Sequence, residues 1–155
     1  MPSSADSNLA LKLWTVLVRA HAAVEAHAFA DIDRHGLTPG EFGALETLYH
    51  KGPLLIGELR RRALKSSGGM SFVLDKLEGR GLVERRPVEG DGRARLVALT
   101  PEGERLVAGI FPEHQRVIEY ACAALGREEK EVAIRLLRAL GHGAAAREVR
   151  AGAPA

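Results

Sequence analysis

The chain has 155 residues, 46% hydrophobic and 27% charged, with a formal net charge of +2. That composition supplies the core of one globular domain or of a small domain with dimerisation arms, and it excludes a disordered chain. One cysteine, Cys122, excludes an intrachain disulfide framework, and no segment approaches the roughly 18 apolar residues of a membrane span, so the expectation is a soluble, cytoplasmic protein.

Taken in chain order, the first element is a helix over 8–34, with Leu9, Leu13, Leu17, Ala20 and Val24 spaced by three and four. It stops near His35-Gly36. A second helix opens at LTPGEFGALETLYHKGP, where Thr38 caps, Pro39 takes the first helical position and Glu41 completes a capping box; Gly52-Pro53 ends it. The segment LLIGELRRRAL, 54–64, reads as a short third helix with Ile56, Leu59 and Ala63 inward and Arg60, Arg61 and Arg62 outward.

A fourth helix is expected over 66–79, with Met70, Val73, Leu74 and Leu77 on one apolar stripe and Gly68, Phe72, Asp75, Lys76 and Gly79 on the opposite face. Its start is odd. Gly68 and Gly69 stand side by side, each weakening a helix by about 1 kcal/mol relative to alanine. The period then changes to short branched runs, LVERRP and RLVALT, joined by VEGDGRA, which predicts a two-stranded hairpin with a basic tip. Thr100-Pro101 opens a fifth helix, with a kink or break expected at Pro112, and a last helix runs from Arg127 to Leu140. The remainder is a flexible tail.

The positive charge is not spread evenly. Between Glu58 and Arg95 there are ten basic and six acidic residues, so this window alone carries +4 while the rest of the chain is net negative. The order of helices followed by a hairpin over 38–100 is that of a winged helix-turn-helix, whose second helix enters a major groove.

From about Leu37 to Gly103 the chain closely resembles the MarR family of bacterial transcription regulators. The resemblance is carried by LTPGEFGALETL, SSGGMS, LDKLEGRGLVERR and the wing DGRARLVALTPEG, and with the flanking helices it covers nearly the whole chain. It implies a mainly helical protein: an N-terminal dimerisation helix over 1–36, a winged helix-turn-helix DNA-binding domain with a two-stranded wing over 37–100, C-terminal dimerisation helices over 101–143 and a tail over 144–155. Its expected partners are a second copy of the chain and a pseudo-palindromic duplex operator, and its expected action is repression relieved by a small aromatic or phenolic ligand.

On this reading the small residues at the start of the fourth helix let its backbone approach DNA. Ser66, Ser67 and Ser71 offer short hydroxyl donors beside Gly68 and Gly69, and Phe72 faces outward toward a thymine methyl. Lys65, Lys76 and Arg95 are candidate phosphate contacts, and Arg93 is the candidate for a narrow minor groove. The resemblance implies that Asp91 steadies the wing arginine, and Asp75 is expected to be neutralised by Arg85 or Arg86. For the effector, Trp14, His21, Phe42 and Tyr49 are the candidate lining. No Cys-x-x-Cys or His-x-x-x-His spacing is present, no cofactor is expected, and no nucleophile elbow, phosphate loop or carboxylate pair suggests an enzyme. Cys122, in EYACAAL, reads as a small buried residue. A metal- or redox-responsive sensor on the same fold, or a winged helix used for protein interaction, are the alternatives.

Overall fold

A computed structural model of the chain describes residues 4–63, 69–147 and 149. In chain order it contains α1 (Ser4–Arg34), α2 (Pro39–Lys51), β1 (Leu54–Leu55), α3 (Ile56–Arg62), α4 (Met70–Gly79), β2 (Val83–Val88), β3 (Asp91–Leu99), α5 (Pro101–Ala121) and α6 (Arg127–Ala145). The chain divides after Ala121 into two compact units, so α6 forms a unit of its own beside the one that holds the winged helix.

Local chemistry accounts for the element ends. At α2 the Thr38 hydroxyl accepts the Glu41 amide at 3.2 Å while Glu41 Oε2 accepts the Thr38 amide at 2.9 Å, the reciprocal capping box that the sequence predicts. Gly52, at φ 75°, ends the helix in a conformation that favours glycine.

Two boundaries differ from expectation. Leu54 and Leu55 do not begin a helix; they pair with Val97 and Leu96 as β1, and α3 starts only at Ile56. A two-residue strand is held by its partner, and local periodicity carries no trace of that. The fourth helix also begins later than 66, at Met70 with Gly69 as its N-cap. A glycine there costs only a few tenths of a kcal/mol relative to a polar cap, whereas the same residue inside the helix costs about 1 kcal/mol. Lys65, Ser66, Ser67 and Gly68 lie outside the described residues.

The sheet is antiparallel, in the order β1-β3-β2, so the third strand adds an inner edge to the expected hairpin. Near the tip the register jumps: Val88 pairs with Asp91, but Pro87 already pairs with Arg95, so Gly92, Arg93 and Ala94 are extruded as a bulge on β3. At the other end of the wing, Gly103 of α5 packs onto the Leu82 backbone, leaving no room for a side-chain carbon.

The core of the first unit is apolar and continuous. Leu45 and Leu48 of α2, Leu59 of α3, Met70, Leu74 and Leu77 of α4, Val83 and Val97 of the sheet and Val107 of α5 are all buried. Only the C-terminal third of α1 joins it, through Phe29 and Ile32. Leu9, Leu11, Leu13, Trp14, Val16 and Val18 on the rest of α1 are exposed. Pro112 does not break α5, which runs unbroken through it; Ala108, whose carbonyl loses its helical partner there, is exposed to water.

In the second unit, Glu129 reaches back to the Gly126 amide at 2.8 Å to cap α6, which continues five residues beyond Leu140. None of its residues is buried. Of the expected tail, residues 148 and 150–155 lie outside the described residues.

Candidate nucleic-acid interface

Helix α4 is two-faced, as its sequence predicts. Met70, Leu74 and Leu77 are buried and Val73 packs against the core, while Ser71, Phe72, Asp75 and Lys76 face solvent. Phe72 is 66% exposed, a large apolar ring with no packing role in the protomer core. The Lys76 ammonium sits 5.4 Å from its ring centroid, within cation–π reach.

Charge on this surface is ordered by three sets of contacts. Arg85 of β2 reaches across to α4, donating to Asp75 and to Glu78 at 2.8 Å each and to the Ser71 carbonyl at 3.4 Å. Of the two arginines expected to neutralise Asp75, Arg85 is the one that does; Arg86 pairs with Glu84 on its own strand. On the inner flank, Glu41 at the start of α2 lies 3.7 Å from both Lys76 Nζ and Arg80 Nη1.

At the wing tip, Asp91 Oδ1 accepts the backbone N–H groups of Arg93 at 3.0 Å and Ala94 at 3.1 Å. These amide bonds are what hold the Asp91 carboxyl below its ordinary value. The expected pairing of Asp91 with the Arg93 side chain is replaced by this backbone clamp, because a short aspartate side chain reaches amides two and three residues on within its own turn. The Arg93 guanidinium has no partner among the described residues and projects from the bulge. Arg95 instead donates to the carbonyls of Gly92 and Ala94, bracing the tip. Arg60 and Arg61 on α3 are exposed and unpaired among the described residues, whereas Arg62 is held by Glu58 at 2.8 Å.

The candidate effector residues are spread over several environments. Phe42 is core, its ring 4.6 Å from that of His114. Tyr49 stands at the surface of α2 beside His50 and Phe111. Trp14 and His21 are exposed on α1, with His21 3.9 Å from Glu25. A different set, Ala26, His27, Ala30, Asp31, Arg34 and Val117, lines an open groove of about 480 Å³ between α1 and α5.

Beneath that groove is a polar cluster that sequence reasoning missed. Asp31, 4% exposed, accepts Arg34 Nη2 at 2.7 Å and meets His114 Nδ1 at 3.0 Å. Burial alone would raise its pKa; the hydrogen bonds from Arg34 and His114 outweigh this and hold it lowered. Glu113 also receives Arg34, and His35 Nε2 lies 3.6–3.7 Å from both carboxylates. The spacing of Asp31, Arg34 and His35 on one helix face was visible in the sequence; their partners on α5 were not. Among the described residues no group of three or more His, Cys, Asp or Glu could hold a metal ion, and Cys122 is half-buried and free. No helix among them is long and apolar enough to cross a membrane.

The whole arrangement has close counterparts. The MarR family model matches residues 35–94, from the end of α1 to the wing bulge. The HTH-type transcriptional regulator MhqR of Bacillus subtilis is 37% identical over 131 residues, covering 84% of this chain and 90% of the relative. Among solved structures, Sco3205, a MarR family transcriptional regulator from Streptomyces coelicolor in complex with DNA, superposes with a TM-score of 0.79 at 22% identity, covering 92% of this chain and 89% of the other. NadR in complex with 4-hydroxyphenylacetate superposes with a TM-score of 0.69 at 26% identity, covering 81% and 89%. With a curved-out wing, a two-faced second helix of the helix-turn-helix and a relative this similar along nearly its full length, the chain belongs to the MarR family of winged helix-turn-helix transcriptional regulators.

Proposed function

We propose that the protein is a homodimeric repressor that reads a pseudo-palindromic operator in the cytoplasm and is released by a small aromatic or phenolic ligand. The observation that carries the DNA reading is the pairing of an outward α4 face, Ser71, Phe72 and Lys76, with an unpaired Arg93 on a wing bulge. Phe72 suits a thymine methyl in the major groove, and Arg93 suits the negative potential of a narrow minor groove. Lys65, Ser66, Ser67, Gly68 and Gly69 would add the backbone and hydroxyl contacts at the helix start, and Arg95 would brace the wing or touch phosphate. Sco3205 in its DNA complex shares the fold.

The dimer reading is supported by α1 and α6. Leu9, Leu11, Leu13, Trp14, Val16 and Val18 put apolar surface around most of the α1 circumference, and a helix of that kind belongs in a core. Val132, Ile134, Leu136, Leu137 and Leu140 do the same for α6. A second copy is the occupant that the family fold supplies. For the effector, the groove between α1 and α5 offers apolar Ala26, Ala30 and Val117 beside the Arg34 cation, a fit for an aromatic ring bearing a negative oxygen; NadR holds 4-hydroxyphenylacetate.

The test is a mobility-shift titration of the purified protein against the duplex upstream of its own coding sequence and against an unrelated duplex, over a salt series. Selective, salt-sensitive binding that Arg93→Ala weakens, with a log–log salt slope shallower by about 0.9, is the expected result. Weak binding, equal for both duplexes, would overturn the reading and favour a winged helix that binds protein.

A further inference from the structure

The recognition helix is electrostatically self-compensated. Its two described cations, Lys76 and Arg80, together with Arg85 leaning on it from β2, are matched one for one by Glu41, Asp75 and Glu78. Asp75 and Glu78 are on α4 itself and half or more exposed to water. Glu41 differs: it belongs to α2, is 4% exposed, and is fixed in place by the capping box at Thr38. Arg80 is held on the same flank by the Gly36 carbonyl at 3.4 Å.

We propose that Glu41 is a specificity-determining residue of this regulator, a buried counter-charge that keeps Lys76 and Arg80 off the phosphate backbone of unrelated DNA. The proposal rests on the reading of α4 as the groove-facing helix. Non-specific affinity comes from cations free to displace condensed counterions from phosphates, and it carries no sequence information. A lysine and an arginine tethered to a buried carboxylate contribute little to it. The tether persists in salt, because charge pairs removed from solvent are screened less than exposed ones. Only when base contacts seat α4 in its groove do phosphates come close enough to compete with Glu41 for these two cations. Specificity is a difference of affinities, and here it is gained by weakening the wrong complex.

Glu41→Gln separates the charge from the cap, since glutamine serves equally well at the third position of a capping box and retains an oxygen for the Thr38 amide. Binding of the native and Glu41→Gln proteins is measured on the duplex upstream of the coding sequence and on a random-sequence duplex of equal length, over a salt series. The expected result is a variant with the native thermal midpoint whose log–log salt slope on random duplex steepens by about 0.9 to 1.8, one or two added phosphate contacts, and whose preference for the upstream duplex falls severalfold. Equal slopes for the two folded proteins would overturn the proposal. Should Glu41→Gln fail to fold, Lys76→Gln/Arg80→Gln with Glu41 intact decides it: an unchanged slope on random duplex supports the tether, and a slope shallower by about 1.8 overturns it. If the native protein shows no preference for the upstream duplex at all, the reading of α4 as a DNA reader fails first, and the role of Glu41 falls with it.

Discussion

Asp31 of α1 and His114 of α5 are 83 residues apart in sequence and 3.0 Å apart in the folded chain, Oδ2 to Nδ1. Their contact joins the helix that leads out of the winged domain to the helix that returns from the wing, at the foot of the α1–α5 groove. His114 also stacks on Phe42 at the start of α2, so one buried pair ties three helices together.

Removing the Asp31 charge leaves His114 and Arg34 facing a neutral group in a buried place. Breaking a buried pair from one side costs about 3 to 5 kcal/mol; with Arg34 more than half exposed, the lower end applies, and Asp31→Asn is expected to lose about 3 kcal/mol in urea unfolding. Because the folded carboxyl is held below the ordinary 3.8, its contribution is complete above that pH and is lost as pH falls through the folded value. The stability gap between native and Asp31→Asn proteins is therefore constant near neutrality and closes in acid below 3.8.

Gly103 marks where α5 is pressed onto the wing. A methyl group there would collide with the Leu82 carbonyl oxygen and come to 3.0 Å from its carbon, both backbone atoms that cannot swing aside. Gly103→Ala is expected to cost about 3 kcal/mol or more, at the upper end of overpacking. Thermal unfolding reads it directly, and a change below about 1 kcal/mol would mean that the wing base yields easily.

Arg85 supplies a different kind of result. Its pairs with Asp75 and Glu78 are partly solvated and contribute to stability only about 0.2 to 1 kcal/mol each. Arg85→Ala nevertheless exposes two carboxylates on the face turned toward phosphates. The expectation is a nearly native unfolding midpoint with operator affinity reduced about tenfold, equivalent to ~1.4 kcal/mol, in the titration described above. Loss of stability without loss of affinity would reverse that assignment.

Asp91 is the hinge of the wing tip. Asp91→Ala removes the acceptor for two backbone amides and is expected to loosen 92–94 and lower DNA affinity severalfold, while the thermal midpoint stays near native. Faster amide hydrogen exchange at Arg93 and Ala94 is the measurement that checks the cause. The carboxyl is held below 3.8 by those amides, so the clamp is intact above that value and is lost as pH falls through the folded one.

Trp14 is the only tryptophan, and in the protomer it is 63% exposed. If α1 is wrapped by a second copy, its emission is blue-shifted at micromolar protein and moves to the red on dilution. Replacement of neighbouring Leu13 by Glu should give the red emission at every concentration, together with a monomer in sedimentation.

The residues that carry local rules were legible: the capping box of Thr38 and Glu41, the stripe of Met70, Val73, Leu74 and Leu77, and the pairing of Asp75 with an arginine from the next strand. What escaped depends on chain segments that meet only after folding. Leu54 and Leu55 look helical until Val97 and Leu96 arrive beside them. Gly69 looked like a defect inside a helix because nothing in the local sequence says that the helix starts one residue later. The double duty of Glu41, cap to its own helix and counter-charge to another, requires the packing of α2 on α4.

The extruded residues at the wing tip have a further consequence. Gly92, Arg93 and Ala94 are surplus on one strand only, and the ladder from Pro87–Arg95 inward keeps its register without them. Length at the tip is thus decoupled from the sheet below. Residues can be added or removed there without moving any core side chain from one face to the other, so the reach of the arginine is a quantity that evolution or an engineer can tune while the scaffold stays unaltered.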